Sequence, residues 1–301
     1  MVSLPVTRWN SHEARTGAIV ALAIFLIAPS ADAESEEPLS PPSVLTFEVL
    51  GDDTGQRNIY LNLDMVLPSG PQLWVEGGLL QGGGNLADTV SFGFGVGSDP
   101  QRDFSAAIHY QYRSQEDAFR TERIGVDFIL FHDPWMFSFS PSLRSITLFT
   151  SELVRRRRNI TEFELESQGI ELGAGYFGFA SWGLVLSHRS EEYSEDLSRI
   201  ERHPRLAEML FSQGALNLAW GFDSSRTRLD VSYYLPSGSV ALGARLGSST
   251  SAIDGSLYRT LAGFADWDIA PAWGVTLEAG SADSDAGYLN RYLSAALRYR
   301  W

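Results

Sequence analysis

The sequence predicts an all-β chain, a single antiparallel transmembrane β-barrel of about fourteen strands over residues 44–301. Three observations predict it. Segments in which apolar and polar residues alternate with a period of two recur about every 10 to 15 residues, and no helix-period stretch outlasts one loop. The polar side of the alternation is rich in small residues and opposite charges, which suits a confined, wet interior better than an open surface. Tryptophans gather at strand ends beside short turns, where an interfacial girdle would sit.

The N-terminus is set aside first. GAIVALAIFLIA (residues 17–28) follows Arg8 and Arg15 and precedes Ala31-Asp32-Ala33. A basic stretch, an apolar run too short for a helical span of about 20 residues and a small-x-small tripeptide predict a cleaved signal peptide over 1–33. ESEEPLSPPS (34–43) is acidic and Pro-rich and reads as a disordered lead-in. The rest contains no apolar run long enough for a membrane helix. No cysteine occurs, which excludes disulfide and thiolate chemistry and a lipoprotein anchor. A formal charge of −14 on an exported chain excludes nucleic acid as a partner. All 23 cations are arginine, for which genomic codon bias is the cheapest explanation.

The first clear hairpin is IYLNLDMVLPSGPQLWVEGGL (59–79), where Ile59, Leu61, Leu63, Met65 and Leu67 face one way and Tyr60, Asn62 and Asp64 the other. A second, RTRLDVSYYLPSGSVALGARLG (226–247), repeats the pattern around the same LPSG turn. Further alternation runs through Val90–Val96, Phe104–Tyr112, Ile124–Leu130 and Trp273–Ala279. Near Pro141, and between Ser167 and Gly169, the apolar set jumps to the other parity, which predicts two β-bulges. Trp135, Trp182, Trp267 and Trp273 mark strand ends beside short turns.

Fifteen segments qualify as strands: 44–50, 57–67, 72–80, 88–97, 103–113, 121–131, 135–148, 160–177, 182–194, 212–222, 226–235, 239–248, 256–268, 272–282 and 290–301. A bacterial barrel with both termini on one side needs an even number. Counts from the two ends collide between residues 194 and 226. Either Asp223-Ser224-Ser225 is no turn, or SEDLSRIERHPRLAEML (194–210) hides another crossing; read otherwise, that stretch is a loop helix capped by Asp196. Fourteen or sixteen strands follow, and fourteen is favoured.

The chain ends on RYLSAALRYRW (291–301), with Leu293, Ala295, Leu297, Tyr299 and Trp301 on one face. This stretch resembles the C-terminal strand of Gram-negative outer-membrane β-barrel proteins, which ends on an aromatic residue after hydrophobics at every second position. The usual last residue there is Phe, and Trp is a less frequent variant. The resemblance implies an outer-membrane location, contact with outer-membrane lipid and lipopolysaccharide, and reading of those five residues by the barrel-assembly machinery. It identifies no subfamily.

The charges expected to line the lumen are Asp64, Glu76, Arg113, Arg123, Asp127, Arg226, Arg228, Asp230, Arg245, Glu278, Arg298 and Arg300, with Glu48 beside them. Opposed charged rings would select solutes; paired across the bore, the same residues would plug it. Arg155-Arg156-Arg157-Arg158, in an expected outer loop, would clamp lipopolysaccharide phosphate or an anionic solute, or merely offset nearby glutamates. Of the histidines beyond the signal segment, His109 points inward, His132 lies in a turn, His188 faces lipid and His203 lies in a loop. No nucleophile–base–orienter spacing, Gly-rich phosphate loop, His-Glu metal motif or EF-hand pattern occurs, so neither an enzyme nor a cofactor is expected. The expected function is a porin-like passive channel for small hydrophilic solutes. The alternatives are a closed accessory barrel of an envelope complex and, third, a lipid-modifying enzyme.

Overall fold

The computed structural model describes residues 43–67, 70–81, 88–99, 102–115, 119–149, 162–179, 181–197, 222–236, 238–285, 287 and 289–301. The expected signal peptide, the lead-in up to residue 42, Arg155–Arg158, His203 and most of the expected strand 212–222 lie outside the described residues.

Fourteen strands run in chain order: β1 (Val44–Asp52), β2 (Arg57–Val66), β3 (Gln72–Gln81), β4 (Thr89–Gly97), β5 (Phe104–Gln115), β6 (Phe119–His132), β7 (Trp135–Phe149), β8 (Glu162–Phe179), β9 (Trp182–Tyr193), β10 (Asp223–Tyr234), β11 (Val240–Ser251), β12 (Leu257–Ala270), β13 (Trp273–Ser284) and β14 (Leu289–Arg300). Each pairs antiparallel with its sequence neighbours, and β14 returns to β1, so the sheet closes. Closure leaves no strand edge with unpaired backbone groups, the condition for a sheet to stand in hydrocarbon. The seam runs from Val44↔Arg300 to Asp52↔Tyr292. Ser43 N–H donates to the Trp301 carbonyl at 3.1 Å and Trp301 N–H to the Ser43 carbonyl at 3.2 Å, so the final tryptophan is bonded into the closing seam.

The long connections 150–161 and 194–222 leave from one end, and the two-residue turns between β6 and β7, β8 and β9, and β12 and β13 lie at the other. The two LPSG turns share one geometry: Gly70 N–H donates to the Leu67 carbonyl and Gly238 N–H to the Leu235 carbonyl, each at 2.8 Å. Both glycines have positive φ, 99° and 71°, a conformation that a side chain would strain. Both turns lie at the end that carries Ser43 and Trp301. Outward aromatics stack along the same end, with Trp135–Tyr176 centroids 4.7 Å apart, Trp182–Tyr233 4.8 Å and Trp273–Tyr299 4.7 Å. Trp135, Trp182, Trp267 and Trp273 are all exposed.

Side-chain contacts that skip a strand identify the inner face. Strands two apart are separated by roughly 9–10 Å, a gap that side chains close only where curvature makes them converge. Arg245 on β11 reaches Glu278 on β13 at 2.6 Å, Arg300 on β14 reaches Asp268 on β12 at 2.7 Å, and Arg144 on β7 reaches Glu191 on β9 at 2.6 Å. The charged parity is therefore the concave one. The other parity holds Phe94, Ile108, Ile124, Leu143, Leu172, Leu261, Leu277 and Leu293, exposed by 48–62%. An apolar patch that encircles a protein is stable only against lipid. The fold is a transmembrane β-barrel.

The structure decides three sequence readings. No bulge occurs near Pro141 or between Ser167 and Gly169. The β7–β8 register runs unbroken from Trp135↔Tyr176 to Phe149↔Glu162, and Gly125↔Ser142 and Phe128↔Phe139 keep one register on β6–β7. The shifts lie elsewhere, at Tyr176/Phe179, Asp223/Ser225 and Asp268/Ala270. The apparent change of parity has a different cause: beyond Leu143 the apolar residues Ile146, Leu148 and Leu165 enter the lumen, where they are 0–2% exposed. Secondly, of the two readings of the strand count, the one in which Asp223-Ser224-Ser225 is no turn holds, since these are the first residues of β10. β9 pairs directly with β10, so no strand stands between them, and residues 198–221 lie outside the described residues. Thirdly, His132 is the last residue of β6 rather than part of the turn.

The lumen-facing apolar residues form a cluster at the long-loop end. Phe119, Ile146, Leu148 and Leu165 on β6–β8 pack with Leu197, just past β9, and Ile253, in the β11–β12 connection; Tyr193, Phe222 and Ala252 lie against them. The cluster runs along that end from β6 to the β11–β12 connection.

Candidate functional site

Inside the barrel, charge is distributed in two ways. On the β10–β14 wall, arginines and carboxylates alternate and match. Nearest the short turns, Arg298 engages Asp266 and Asp268, and Arg300 Nη2 donates to Asp268 Oδ1 at 2.7 Å. Higher up, Asp230 accepts from Arg245 Nε at 2.9 Å and from Arg228 Nε at 2.7 Å. Glu278 accepts from Arg245 Nη1 at 2.6 Å and from the Tyr292 hydroxyl at 2.8 Å. Past the seam, Glu48 takes the Ser294 hydroxyl at 2.6 Å. Across β2–β6 the carboxylates hold neutral donors. Asp64 accepts from Gln72, and Glu76 accepts from the Tyr60 hydroxyl and from Gln111 at 3.0 Å. His109 Nδ1 lies 3.0 Å from Asp127 Oδ2. Its Cε1–Nε2 edge lies over Gly125.

Lumen rings lie flat against the wall because glycines receive them. A Cβ at Gly95 would overlap the Trp74 indole, and one at Gly243 would overlap the Phe264 ring. Alternating ring and glycine on adjacent strands keeps the aromatics out of the bore.

Beneath the apolar cluster, on β5–β10, the balance changes. A cavity of about 50 Å³ is lined by Arg113, Arg123, Arg144, Arg189 and Arg226 against Glu76, Glu191 and Asp223. Five guanidinium groups face three carboxylates, and Glu171, opposite Arg189 on β8, adds a fourth at the edge. Strand register makes the imbalance local. Arg123 stands directly opposite Arg144 on β6–β7, and Arg189 directly opposite Arg226 on β9–β10. Like charges in such positions repel.

The arginines are held unequally. Arg144 is locked: it pairs with Glu191, donates to the Tyr193 hydroxyl at 2.7 Å and to Ser167 Oγ at 3.3 Å, and stacks 5.6 Å from the Tyr193 and Phe222 ring centres. Glu191 also takes Arg189 and the Ser167 hydroxyl, the latter at 2.6 Å. Asp223 takes Arg226. Arg113, 8% exposed, lies 5.6 Å over the Phe119 ring. Arg123 donates from Nη2 to Ser142 Oγ at 3.1 Å, while its buried Nε has no hydrogen-bond partner among the described residues.

All twelve charges expected at the lumen stand on the inner face, but only Glu76, Arg113, Arg123 and Arg226 meet at the cavity. Arg144, Arg189, Glu191, Asp223, Asp266 and Asp268 were not foreseen. Parity carried the signal for Arg189, next to outward His188, which contacts Thr227 Oγ1 at 2.8 Å. Arg144 was hidden by the assumed bulge at Pro141, and Asp223 by the assumed turn.

No family model matches the chain, and no curated protein matches it. Among solved structures it is similar to the KdgM porin in complex with disordered oligogalacturonate, at 7% identity and TM-score 0.43, over 86% of this chain and 99% of that one. It is similar to OmpT of Vibrio cholerae, expressed in the outer membrane, at 9% and 0.49, over 89% and 100%. It is also similar to OpdK of Pseudomonas aeruginosa with vanillate, at 9% and 0.41, over 86% and 97%. These are outer-membrane barrels, and at such distances function has to be read from this chain's own lumen.

Proposed function

We propose that the chain is an outer-membrane channel that lets small hydrophilic solutes diffuse passively. One observation carries the reading. The ion pairs described above join residues on one strand, on adjacent strands or on strands two apart, so they run along the wall and do not bridge the bore. Charges paired in this way satisfy one another without plugging the path, and they leave a polar, hydrated lining. The apolar belt and the terminal seam fit insertion among outer-membrane lipid and lipopolysaccharide after the assembly machinery has read Leu293, Ala295, Leu297, Tyr299 and Trp301.

The test is conductance. Folded barrel, identified by altered gel migration before boiling, should conduct in planar bilayers and admit a small neutral sugar in liposome swelling. Arg245→Glu should move the reversal potential in a salt gradient toward cations. Absence of conductance from folded protein ends this reading.

A second reading, a closed accessory barrel, is favoured by the apolar cluster at the long-loop end. It expects the native protein to be silent and Ile253→Asp, which places a charge inside that cluster, to open it. A lipid-modifying activity through His109 would require phospholipid hydrolysis that His109→Ala abolishes.

A further inference from the structure

We propose that the cavity beneath the apolar cluster is a binding site for one oxyanion group, a carboxylate or a phosphate, carried by a small solute. The proposal names a solute class for the channel and rests on that reading for the solute's route.

The register is the first argument. Two arginine–arginine pairs, Arg123 opposite Arg144 and Arg189 opposite Arg226, stand on neighbouring parts of one wall. Like charges directly opposite one another are unfavourable in a sheet, and the confined lumen strengthens the repulsion. Elsewhere among the described residues no two like charges stand directly opposite in register, and on β10–β11 the residue opposite Asp230 is Arg245. An anion placed among the guanidinium groups converts both repulsions into attractions.

The second argument is a donor that points at nothing. Arg123 Nε is buried and without a partner among the described residues, although Ser142 holds the same guanidinium through Nη2. A buried donor left unmade costs free energy, and more so when the group is charged. An oxyanion oxygen in the cavity would take it. A guanidinium fork matches carboxylate and phosphate oxygens two at a time.

The third argument is size. A cavity of about 50 Å³ holds a few water-sized groups. That accommodates a carboxylate or phosphate head. The apolar cluster directly above, which Arg144 reaches through Tyr193 and Phe222, offers a dry surface for whatever carbon the head carries.

The test is equilibrium binding, which does not depend on conduction. The full-length barrel folded in detergent is titrated calorimetrically with sodium phosphate and with sodium acetate, and with choline chloride as the cationic control. Saturable binding of one or both anions, with none for choline, is expected; which anion binds assigns the head group. Arg123→Gln should weaken binding at least tenfold. Arg259→Gln, on the outer face, should leave it within twofold. Where gel migration shows that Arg123→Gln has not folded, Arg189→Gln serves instead, with the same tenfold expectation. No saturable binding of either anion, or equal binding by the folded variant, overturns the site. Conductance without anion binding removes this site and keeps the channel; anion binding without conductance keeps the site and removes the channel.

Discussion

The β10–β14 wall and the β5–β10 wall are made from the same two residue types and behave as opposites. On the first, Arg228, Arg245, Arg298 and Arg300 meet Asp230, Glu278, Asp266 and Asp268, four against four. Each charge has a partner near it, and Arg245, Asp230, Arg298 and Asp268 each have two. On the second, five arginines line a cavity with Glu191, Asp223 and Glu76 of β3, Glu171 stands at its edge, and two pairs of arginines stand face to face. A wall built only to close a barrel in a wet lumen needs nothing beyond the first pattern. The second is less stable as it stands, and such an excess is expected where a ligand supplies the missing charge.

The comparison is open to attack, beginning with the largest effect. Glu191 is the hub of the arginine-rich wall, 5% exposed and accepting from Arg144, Arg189 and Ser167. Glu191→Gln leaves buried guanidinium groups uncompensated and should destabilise the folded barrel by about 3–5 kcal/mol, read by urea unfolding in lipid. A cost no larger than that of Glu278→Gln would erase the distinction between the walls.

Leu277→Arg sets the scale on the lipid face of the balanced wall. Leu277 is 52% exposed at the middle of β13, and a cation there should cost about 2–4 kcal/mol by the same unfolding assay. A near-neutral result would mean that this face does not meet hydrocarbon.

Gly95→Ala tests the flat rings. Its Cβ would overlap the Trp74 indole, and overpacking of this kind costs about 1–3 kcal/mol. Tryptophan emission should shift as the ring swings into the bore, and single-channel conductance should fall. Unchanged emission would show that the ring does not lie on the glycine.

The smallest expected effect is that of Glu278→Gln. Arg245 is a third exposed and keeps Asp230, so the loss should stay below about 1 kcal/mol. A loss comparable to that of Glu191→Gln would show the balanced wall to be as tightly coupled as the other.

Much of this architecture was legible along the chain. A period of two on Leu229, Val231 and Tyr233 against Arg228, Asp230 and Ser232 sorts side chains to two faces whatever the partner strand, because it follows from the pleat alone. LPSG reads as a turn because Gly70 and Gly238 adopt positive φ at no steric cost. The misreadings have two origins. At Ile146, Leu148 and Leu165 apolar residues occupy lumen positions, and a rule that equates apolar with outward then invents a bulge. At Asp223 a short polar run looked like a turn, although its carboxylate was there to hold Arg226 inside the wall.

The sequence by itself determined the barrel: strand rhythm, turn chemistry, the aromatic end and the inward parity of the charges are all local, within a few residues of one another. Which charges meet was decided only by the closed sheet. Arg144 and Glu191 are 47 residues apart in sequence and 2.6 Å apart across β8, and Leu197 and Ile253 join one cluster from different connections. Register and curvature bring such groups together, and neither is written in any single strand.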